Sequence, residues 1–419
     1  MEDRVYWLWL SMAVTPGTNT FAKLLTKFNS AMEIYSADAA EIASVITSKS
    51  RDYKALCDKR LDAAVKVNDF CLTKNVGILL HCDRNFPSML KQIPTPPVLL
   101  YYRGVLPDFD DNFLVSVVGT RRLTDYGRRN AFVISSDLAR AGAVIVSGMA
   151  VGIDGVAHCG AIAAGRPTVA VIGSGIDVLY PKSHGQLAKQ IVKDGCVLTE
   201  YAPGTKPEKQ NFPVRNRIIS GLSQAVIVIE GKERSGAMIT ARHAREQERA
   251  LYALPGNVGS PNSQLTNLLI KNGASLCTAA DDVVRDFELR SHGRLNPHEL
   301  AKPFSADMHA MLTKLGVSCV AVDDGIFKNS KKQKKIKVVE EDVPKCKADS
   351  TATEKTADLA GFDKTAIKLY KRIPTGEGCP IEALVDDELN LRDVMKGLLK
   401  LEMGCFITML PGERVRRNF

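Results

Sequence analysis

The sequence has 419 residues, of which 45% are hydrophobic and 25% are charged, and it carries a formal net charge of +9. The length predicts two or three domains, and the composition is typical of a soluble globular protein. Because six lysines fall between Lys328 and Lys337, much of the charge excess is local, and the net charge alone is weak evidence for a nucleic-acid partner.

Several features of the chain argue against export and against a membrane span. Glu2 and Asp3 precede the apolar stretch 5–14, so this stretch lacks the positive start of a signal peptide. No apolar run approaches the roughly 18 residues that cross a bilayer. The ten cysteines include no C-x-x-C pair, which favours reduced thiols over disulfides or a metal cage. We therefore expect a cytoplasmic protein that does not associate with a membrane.

Residues 1–70 are predicted to form a small helical domain, similar to a SAM or helix-hairpin-helix domain. The apolar residues from Phe21 to Phe28 follow the i, i+3, i+4, i+7 spacing of an amphipathic helix, and Pro16-Gly17 marks a turn before them. A helix-hairpin-helix turn would bind a nucleic-acid backbone, but such turns usually contain two glycines and this one contains one. A structural or protein-contact role is therefore the favoured interpretation.

Residues 77–290 are predicted to form an extended Rossmann-like α/β domain. After a proline-rich, extended stretch, short runs of valine, isoleucine and alanine alternate with segments of helical length. Such continuous apolar runs are typical of a doubly wound, mostly parallel sheet that is covered on both faces. The predicted strands are Leu114–Gly119, Ala143–Ser147, Thr168–Gly173, Cys196–Glu200, Ala225–Glu230 and Ala250–Leu254. Ligands of such a sheet gather at the carboxyl ends of its strands.

Two further regions follow the sheet. Periodicity fails over residues 291–361, which we predict to be a flexible linker. Residues 362–419 show helical spacing, then the apolar run Cys405–Leu410 and a Pro411-Gly412 turn. Three helices before a β-hairpin is the order of a winged helix. A protein–protein module that never touches DNA is the alternative interpretation of this region.

The candidate binding site consists of the turns that follow the predicted strands. Glycine-rich turns and helix starts expose backbone N–H groups, and nearby arginine or lysine favours a phosphate. The candidates are Gly119 and Arg121 after the first strand, Ser147, Gly148 and Gly152 after the second, Lys182 after the third, and Arg215, Asn216 and Arg217 at the predicted start of a helix. Taken one at a time, these segments are equally consistent with tight or solvated turns.

The same turns offer no visible apparatus for catalysis or for a cofactor. Val178 stands where a dinucleotide-binding fingerprint needs its third glycine, and the segment 231–238 lacks the ending of a Walker A motif. Asp154 and His158 are four residues apart and are predicted to cap a helix and to satisfy one another. We therefore predict no catalytic residue, no metal site and no cofactor.

Aromatic residues are interleaved with the basic turns. They are Tyr126, Tyr180, Tyr201 and Phe212. Flat side chains on which unpaired bases stack, beside cations that hold phosphates, are typical of proteins that bind single-stranded nucleic acid. The sequence therefore favours a single strand held through its backbone with little base readout.

The motif string of the central region resembles the DprA (Smf) DNA-processing family. The matching segments are VVGTRRLTDYG, SGMAVGIDGVAH, GSGIDVLYP, TEYAPG, FPVRNRIISGLS, SGAMITARHA and ALPGN, in this order. The resemblance implies a homodimer that binds single-stranded DNA without hydrolysing it and helps load the RecA recombinase in natural transformation. It also implies that the strand-end residues named above, from Gly119 to Arg217, form the DNA pocket.

One position departs from the family pattern. Leu265 stands where the family usually has glycine, and a left-handed turn there would place Leu265 under strain.

Two alternatives to this function come from other classes. Nucleoside-monophosphate phosphoribohydrolases use a related fold, but their motif needs a second glycine and a glutamate that the segment 255–259 lacks. The other alternative is an interaction platform that recruits a partner through its C-terminal region.

Overall fold

The computed structural model describes residues 2–291, 293–317, 364–374, 379–384, 393–394, 398, 401, 407–410 and 414–417. The chain divides into two compact units, Met1–Lys331 and Lys332–Phe419.

The N-terminal part of the first unit is helical. Its helices are α1 (Glu2–Ala13), α2 (Thr20–Leu25), α3 (Ala31–Ser36), α4 (Ala39–Ala43), α5 (Arg51–Cys57) and α6 (Asp62–Thr73). Phe21, Leu24 and Phe28 of the predicted apolar stripe are buried, although α2 ends before Phe28. Asp52 is also buried, and it accepts hydrogen bonds from Thr15 and Thr18 of the turn that separates α1 from α2 and from Thr20, the first residue of α2.

A nine-stranded sheet forms the centre of the first unit. Its strands are β1 (Gly77–Leu80), β2 (Leu99–Gly104), β3 (Leu114–Val118), β4 (Val144–Ser147), β5 (Thr168–Val171), β6 (Cys196–Thr199), β7 (Ala225–Val228), β8 (Ala250–Ala253) and β9 (Ser275–Leu276). Their order is β1-β2-β6-β5-β4-β3-β7-β8-β9, with β1 and β2 antiparallel and the rest parallel. The predicted mostly parallel α/β sheet is confirmed.

Helices cover both faces of this sheet. They are α7 (Ser88–Lys91), α8 (Asp125–Arg140), α9 (Ile153–Ala163), α10 (Gly185–Asp194), α11 (Asn211–Gly221), α12 (Gly236–Glu246), α13 (Gln264–Lys271) and α14 (Ala280–Phe287). Val115 and Val117 of β3 belong to one hydrophobic core, which the N-terminal helices also join, while Leu114 and Val118 belong to the core on the other face. This alternation explains the unbroken apolar runs of the strands, since both faces are buried.

The sheet reverses its direction of growth at β3. The chain runs from β3 through β4 and β5 to β6 on one side, and then returns to place β7 on the other side of β3. The carboxyl ends of the strands on either side of such a reversal border the crevice in which ligands of open α/β sheets bind.

Residues 293–317 continue the folded unit beyond the sheet. A 3-10 turn covers Pro297–Ala301, and α15 covers Met308–Lys314. Leu312, Leu315 and Val317 are buried in the same core as the N-terminal helices. The ordered chain thus extends past residue 291, where the sequence predicted that a flexible linker begins. Residues 318–361 of that predicted linker lie outside the described residues.

The second unit contains α16 (Lys364–Arg372) and the strands β10 (Cys379–Pro380), β11 (Ile407–Leu410) and β12 (Arg414–Arg417). The strands are antiparallel in the order β10-β12-β11. Leu369 of α16 and Ile373, the residue after this helix, are buried in the core of the second unit. Much of 362–419 lies outside the described residues, so the winged helix stays a prediction.

Within the described parts of both units, no helix combines the length and the apolar character that crossing a bilayer requires.

Candidate nucleic-acid interface

The turns after β3 and β4 touch at the carboxyl edge of the sheet. Gly152 has a φ of +91°, and a Cβ atom there would lie 2.8 Å from the Cα atom of Arg121. The backbone N–H of Ile153 donates to the carbonyl oxygen of Thr120 at 3.2 Å. Gly119 is equally restricted, because its Cβ would lie 2.6 Å from Cγ1 of Ile153. Glycine at these two positions therefore lets the two turns meet.

A group of two arginines and two aromatic rings lies at this edge, and we call Arg121, Tyr180, Phe212 and Arg215 the aromatic–cation cluster. The guanidinium carbon of Arg121 lies 5.3 Å from the centre of the Phe212 ring, and that of Arg215 lies 5.8 Å from it. The Tyr180 ring contacts Phe212 with centroids 5.5 Å apart. Arg121 and Tyr180 are exposed and Phe212 is half-buried, so solvent reaches both a cation and aromatic surface.

Arg215 is the buried member of the cluster, with 3% of its surface exposed. Its Nη1 atom donates to the carbonyl oxygen of Gly148 at 2.7 Å and to that of Val171. A Cβ at Gly148 would lie 2.6 Å from Oδ2 of Asp154 and 2.8 Å from Nη1 of Arg215, which explains glycine there. Burial lowers the pKa of Arg215 to about 10, so the guanidinium remains charged at neutral pH.

Arg217 lies on the same helix and is also buried. Its Nη2 atom donates at 2.6 Å to Oε2 of Glu200, the residue that directly follows β6. The helix begins at Asn211, four residues before the predicted start, so Arg215, Asn216 and Arg217 lie in its body instead of at its free N–H groups. Pro213 fits this early start, because proline in a first turn removes no intrahelical hydrogen bond.

Ser147 and Lys182 differ in their exposure. The Ser147 hydroxyl is fully buried and donates to the carbonyl oxygen of Val117 at 2.6 Å, so it joins two strands. Lys182 is exposed and begins the 3-10 turn Lys182–His184, two residues after Tyr180. Of these two candidates, only Lys182 presents its side chain to solvent.

Asp154 and His158 have separate partners. Nδ1 of His158 lies 2.7 Å from Oγ1 of Thr168, and the carboxylate of Asp154 accepts from the backbone N–H of Ala150 at 3.4 Å beside Arg215. Burial, together with the nearby charge of Arg215, lowers the pKa of His158 to about 3. The predicted bond between Asp154 and His158 is therefore wrong, because Asp154 lies beside Gly148 after β4 while His158 bonds to Thr168 at the start of β5.

The four aromatic residues named from the sequence fall into two groups. Tyr180 and Phe212 join the aromatic–cation cluster. Tyr201 is buried, and its hydroxyl donates to the carbonyl oxygen of Asn211 at 3.2 Å. Tyr126 is exposed, but its hydroxyl bonds to the carbonyl oxygen of Pro255 at 2.7 Å on the far side of the β3 turn. In the described residues no group of three or more possible metal ligands is found.

Comparison with known proteins identifies the family of the chain. The sequence model of the family described as DNA recombination-mediator protein A matches residues 77–288, which is more than half of the chain. The chain belongs to this family.

Individual relatives of the chain agree with this family membership. Protein Smf from Synechocystis is 42% identical over 214 residues, which are 50% of this chain and 54% of that protein. DNA processing protein DprA from Streptococcus pneumoniae is 42% identical over 229 residues, 55% of this chain and 79% of that protein. The X-ray structure of DNA processing protein A from Streptococcus pneumoniae is 35% identical, with a TM-score of 0.58 over 68% of this chain and 98% of that chain. The match spans about half the length of the Synechocystis relative.

The departure of the sequence from the family pattern at Leu265 causes no backbone strain. Leu265 lies in the first turn of α13, is fully buried in the core and is not among the residues with positive φ. Its backbone N–H donates to the carbonyl oxygen of Gly231 at 3.0 Å. The backbone at this position therefore does not require glycine, and the leucine side chain packs in the core.

Sequence reasoning missed the anionic partners of the arginines. From the sequence, Glu200 is predicted only to end a strand, and Asp154 is predicted only to bond to His158. The available signal for Glu200 was its place at the end of a buried strand, where a carboxylate requires a cation or several hydrogen bonds.

Proposed function

We propose that this protein binds single-stranded DNA at the aromatic–cation cluster and acts as a recombination mediator. One observation carries the proposal. Exposed Arg121 stacks over the Phe212 ring that Tyr180 also contacts, so a cation and flat aromatic surface are offered together at the carboxyl edge of the sheet.

Each part of the cluster has a role in this proposal. Bases of a single strand stack on the exposed aromatic surface, which contributes about 1–3 kcal/mol per base and tolerates any sequence. Arg121 and exposed Lys182 bind the phosphates. Arg215 is held by two backbone carbonyl oxygens and supplies a fixed positive charge behind the rings. A duplex keeps its bases stacked inside and cannot use the rings, so we expect preference for single strands.

The wider role follows from the family. We propose that the protein acts in the cytoplasm as a homodimer, leaves the DNA strand intact and helps load RecA during natural transformation. The family is described as DNA recombination-mediator protein A, and the Streptococcus pneumoniae relative is named DNA processing protein DprA. Asp154 and His158 are both buried, and they bond to the Ala150 N–H group and to Thr168, which supports binding without cleavage.

Fluorescence anisotropy tests the binding site. A labelled single strand should be displaced by unlabelled single strands far better than by duplex, and its affinity should fall with rising salt. Arg121→Ala should weaken binding about tenfold or more, since it removes a phosphate contact and a cation over Phe212. Arg285→Ala is the matched control, because it removes the same charge from an exposed pair with Asp281 on α14. Equal effects of the two variants would refute the site.

A separate assay tests the mediator role. RecA hydrolyses ATP once it coats a single strand, so hydrolysis on strands covered by single-strand-binding protein should begin sooner when this protein is added. Arg121→Ala should remove that acceleration. Sedimentation velocity on the purified chain tests the homodimer, and a monomer at micromolar concentration would contradict it. Intact oligonucleotides after prolonged incubation would support binding without cleavage, and shortened products would overturn it.

A further inference from the structure

The end of α15 packs against the turn that carries Lys182. Gly316 has a φ of +68°, and a Cβ atom there would lie 2.9 Å from the carbonyl oxygen of Ser183. The backbone after α15 therefore lies directly on the 3-10 turn Lys182–His184, at a distance that glycine permits. This contact comes from residues 308–317, which lie beyond the part of the chain that the family model matches.

His184 and Val317 fill the same space over α9. A Cβ atom at Gly155 would lie 2.8 Å from Cε1 of His184 and 3.1 Å from Cγ1 of Val317. His184 is fully buried, and Val317 is nearly so. Because buried side chains are closely packed, Val317 limits the positions that the His184 ring can take.

His184 in turn fixes the turn after β4. Its Nδ1 atom lies 3.0 Å from the carbonyl oxygen of Met149. A carbonyl oxygen only accepts, so Nδ1 carries the hydrogen in this bond. Met149 has a φ of +53°, which non-glycine residues rarely adopt, and it follows Gly148, whose carbonyl oxygen binds Arg215. The imidazole therefore holds the backbone beside the Arg215 acceptor in its left-handed conformation.

We infer that His184, Gly316 and Val317 are positioning residues for DNA binding, an inference that rests on the proposed function. We call them the Lys182 brace. The brace holds Lys182 on one side and the Gly148–Met149 backbone on the other, without itself contacting the strand. A lysine turn that is ordered before DNA arrives loses less conformational entropy on binding, so the brace raises affinity through preorganisation.

Point variants of the full chain test the brace. His184→Ala and Val317→Ala should each weaken single-strand binding about fivefold, the size expected for the loss of one hydrogen bond or its support. His184→Asn should restore most of the affinity, because its Nδ2–H group can take the place of the Nδ1–H donor. Gly155→Ala should weaken binding too, by displacing the His184 ring. If His184→Ala does not fold, the Val317 and Gly155 variants still decide the question.

Val284→Ala and Gly236→Ala are the matched controls. Val284 is a fully buried valine on α14, and a Cβ atom at Gly236 would meet nothing within 4 Å. Both should keep the affinity of the unchanged protein. Affinity losses of equal size in the Val284 and Val317 variants would overturn the brace, since they would show a general loss of stability.

A double-mutant cycle with Lys182→Ala separates positioning from stability. If Val317 acts through Lys182, adding Val317→Ala to Lys182→Ala should weaken binding by much less than fivefold. If the affinity losses of the two single variants added fully in the double variant, the inference would be overturned. It would also be overturned if Val317→Ala bound normally while Lys182→Ala bound weakly. Unchanged binding by both Lys182→Ala and Arg121→Ala would instead refute the proposed function itself.

Discussion

Arg217 and Glu200 form a buried ion pair in which Nη2 of Arg217 donates to Oε2 of Glu200 at 2.6 Å. The pair joins α11 to the chain just after β6, and it lines a small cavity together with Gly17 of the N-terminal turn and the Pro96-Pro97 segment. Burial raises the pKa of Glu200, and the charge of Arg217 offsets part of that rise. The sequence predicted that Arg217 binds DNA, but in the structure its charge is paired with the Glu200 carboxylate.

The first prediction concerns the stability that depends on this pair. Arg217→Ala should lower the free energy of unfolding by about 3–5 kcal/mol, because it leaves the Glu200 carboxylate buried without a cation. Combining it with Glu200→Leu should recover most of the loss. Urea unfolding followed by circular dichroism measures both. An Arg217→Ala protein that unfolds normally but binds DNA weakly would contradict this and assign Arg217 to the DNA.

The second prediction separates the aromatic residues. Phe212→Leu should weaken single-strand binding about tenfold, within the range expected for one stacked base, since leucine keeps the volume and loses the ring. Tyr201→Phe should leave binding unchanged, because that ring is buried and only its hydroxyl bond to Asn211 is lost. Anisotropy titrations measure both affinities. A stronger effect at Tyr201 than at Phe212 would place the strand elsewhere.

The third prediction concerns pH. Burial lowers the pKa of His158 from 6.5 to about 3. Between these pH values the unfolded chain binds a proton at this histidine and the folded chain does not. The contribution of this histidine to stability is therefore complete above pH 6.5 and declines as pH falls from 6.5 towards 3. Relative to His158→Asn, the unchanged protein should lose about 2 kcal/mol between pH 7.5 and pH 5. Unfolding curves at several pH values measure the difference, and parallel pH profiles of the two proteins would contradict it.

The fourth prediction concerns Leu265. Leu265→Gly should lower the free energy of unfolding by about 4 kcal/mol, since it opens a cavity in the core and adds a glycine to α13. Leu265→Met should lower it by less than about 1.5 kcal/mol, because methionine has a similar volume. Thermal and urea unfolding measure both. If the glycine variant were as stable as the unchanged protein, the loop would have to adopt the family's turn without cost.

The sheet could be predicted because two-sided burial leaves a direct trace in the sequence. Val115 and Val117 enter one core and Leu114 and Val118 the other, so the strand has no polar side. The antiparallel pairing of β1 with β2 could not be predicted from a local sequence pattern, because it depends on which distant segments meet at the edge of the sheet.

The site could be predicted only in part, for a different physical reason. Motif spacing located the strand-end turns, and exposed Arg121 and Lys182 lie where such residues are expected. Burial of Arg215 and Arg217 could not be predicted, because local patterns place charged side chains outside. Only the tertiary structure supplies the acceptors that make their burial favourable, namely the Gly148 and Val171 carbonyl oxygens and the Glu200 carboxylate.

The contact at Gly152 has a consequence for how this surface can change. A Cβ there would lie 2.8 Å from the Cα atom of Arg121, so every larger residue would have to push the arginine backbone away from the β4 turn. The place of an exposed cation is thus set by the absence of one carbon atom on a neighbouring, buried residue. Substitution of surface side chains can change the binding affinity in small steps. The spacing between the two turns depends on Gly152, and any side chain at that position would change it in a single large step.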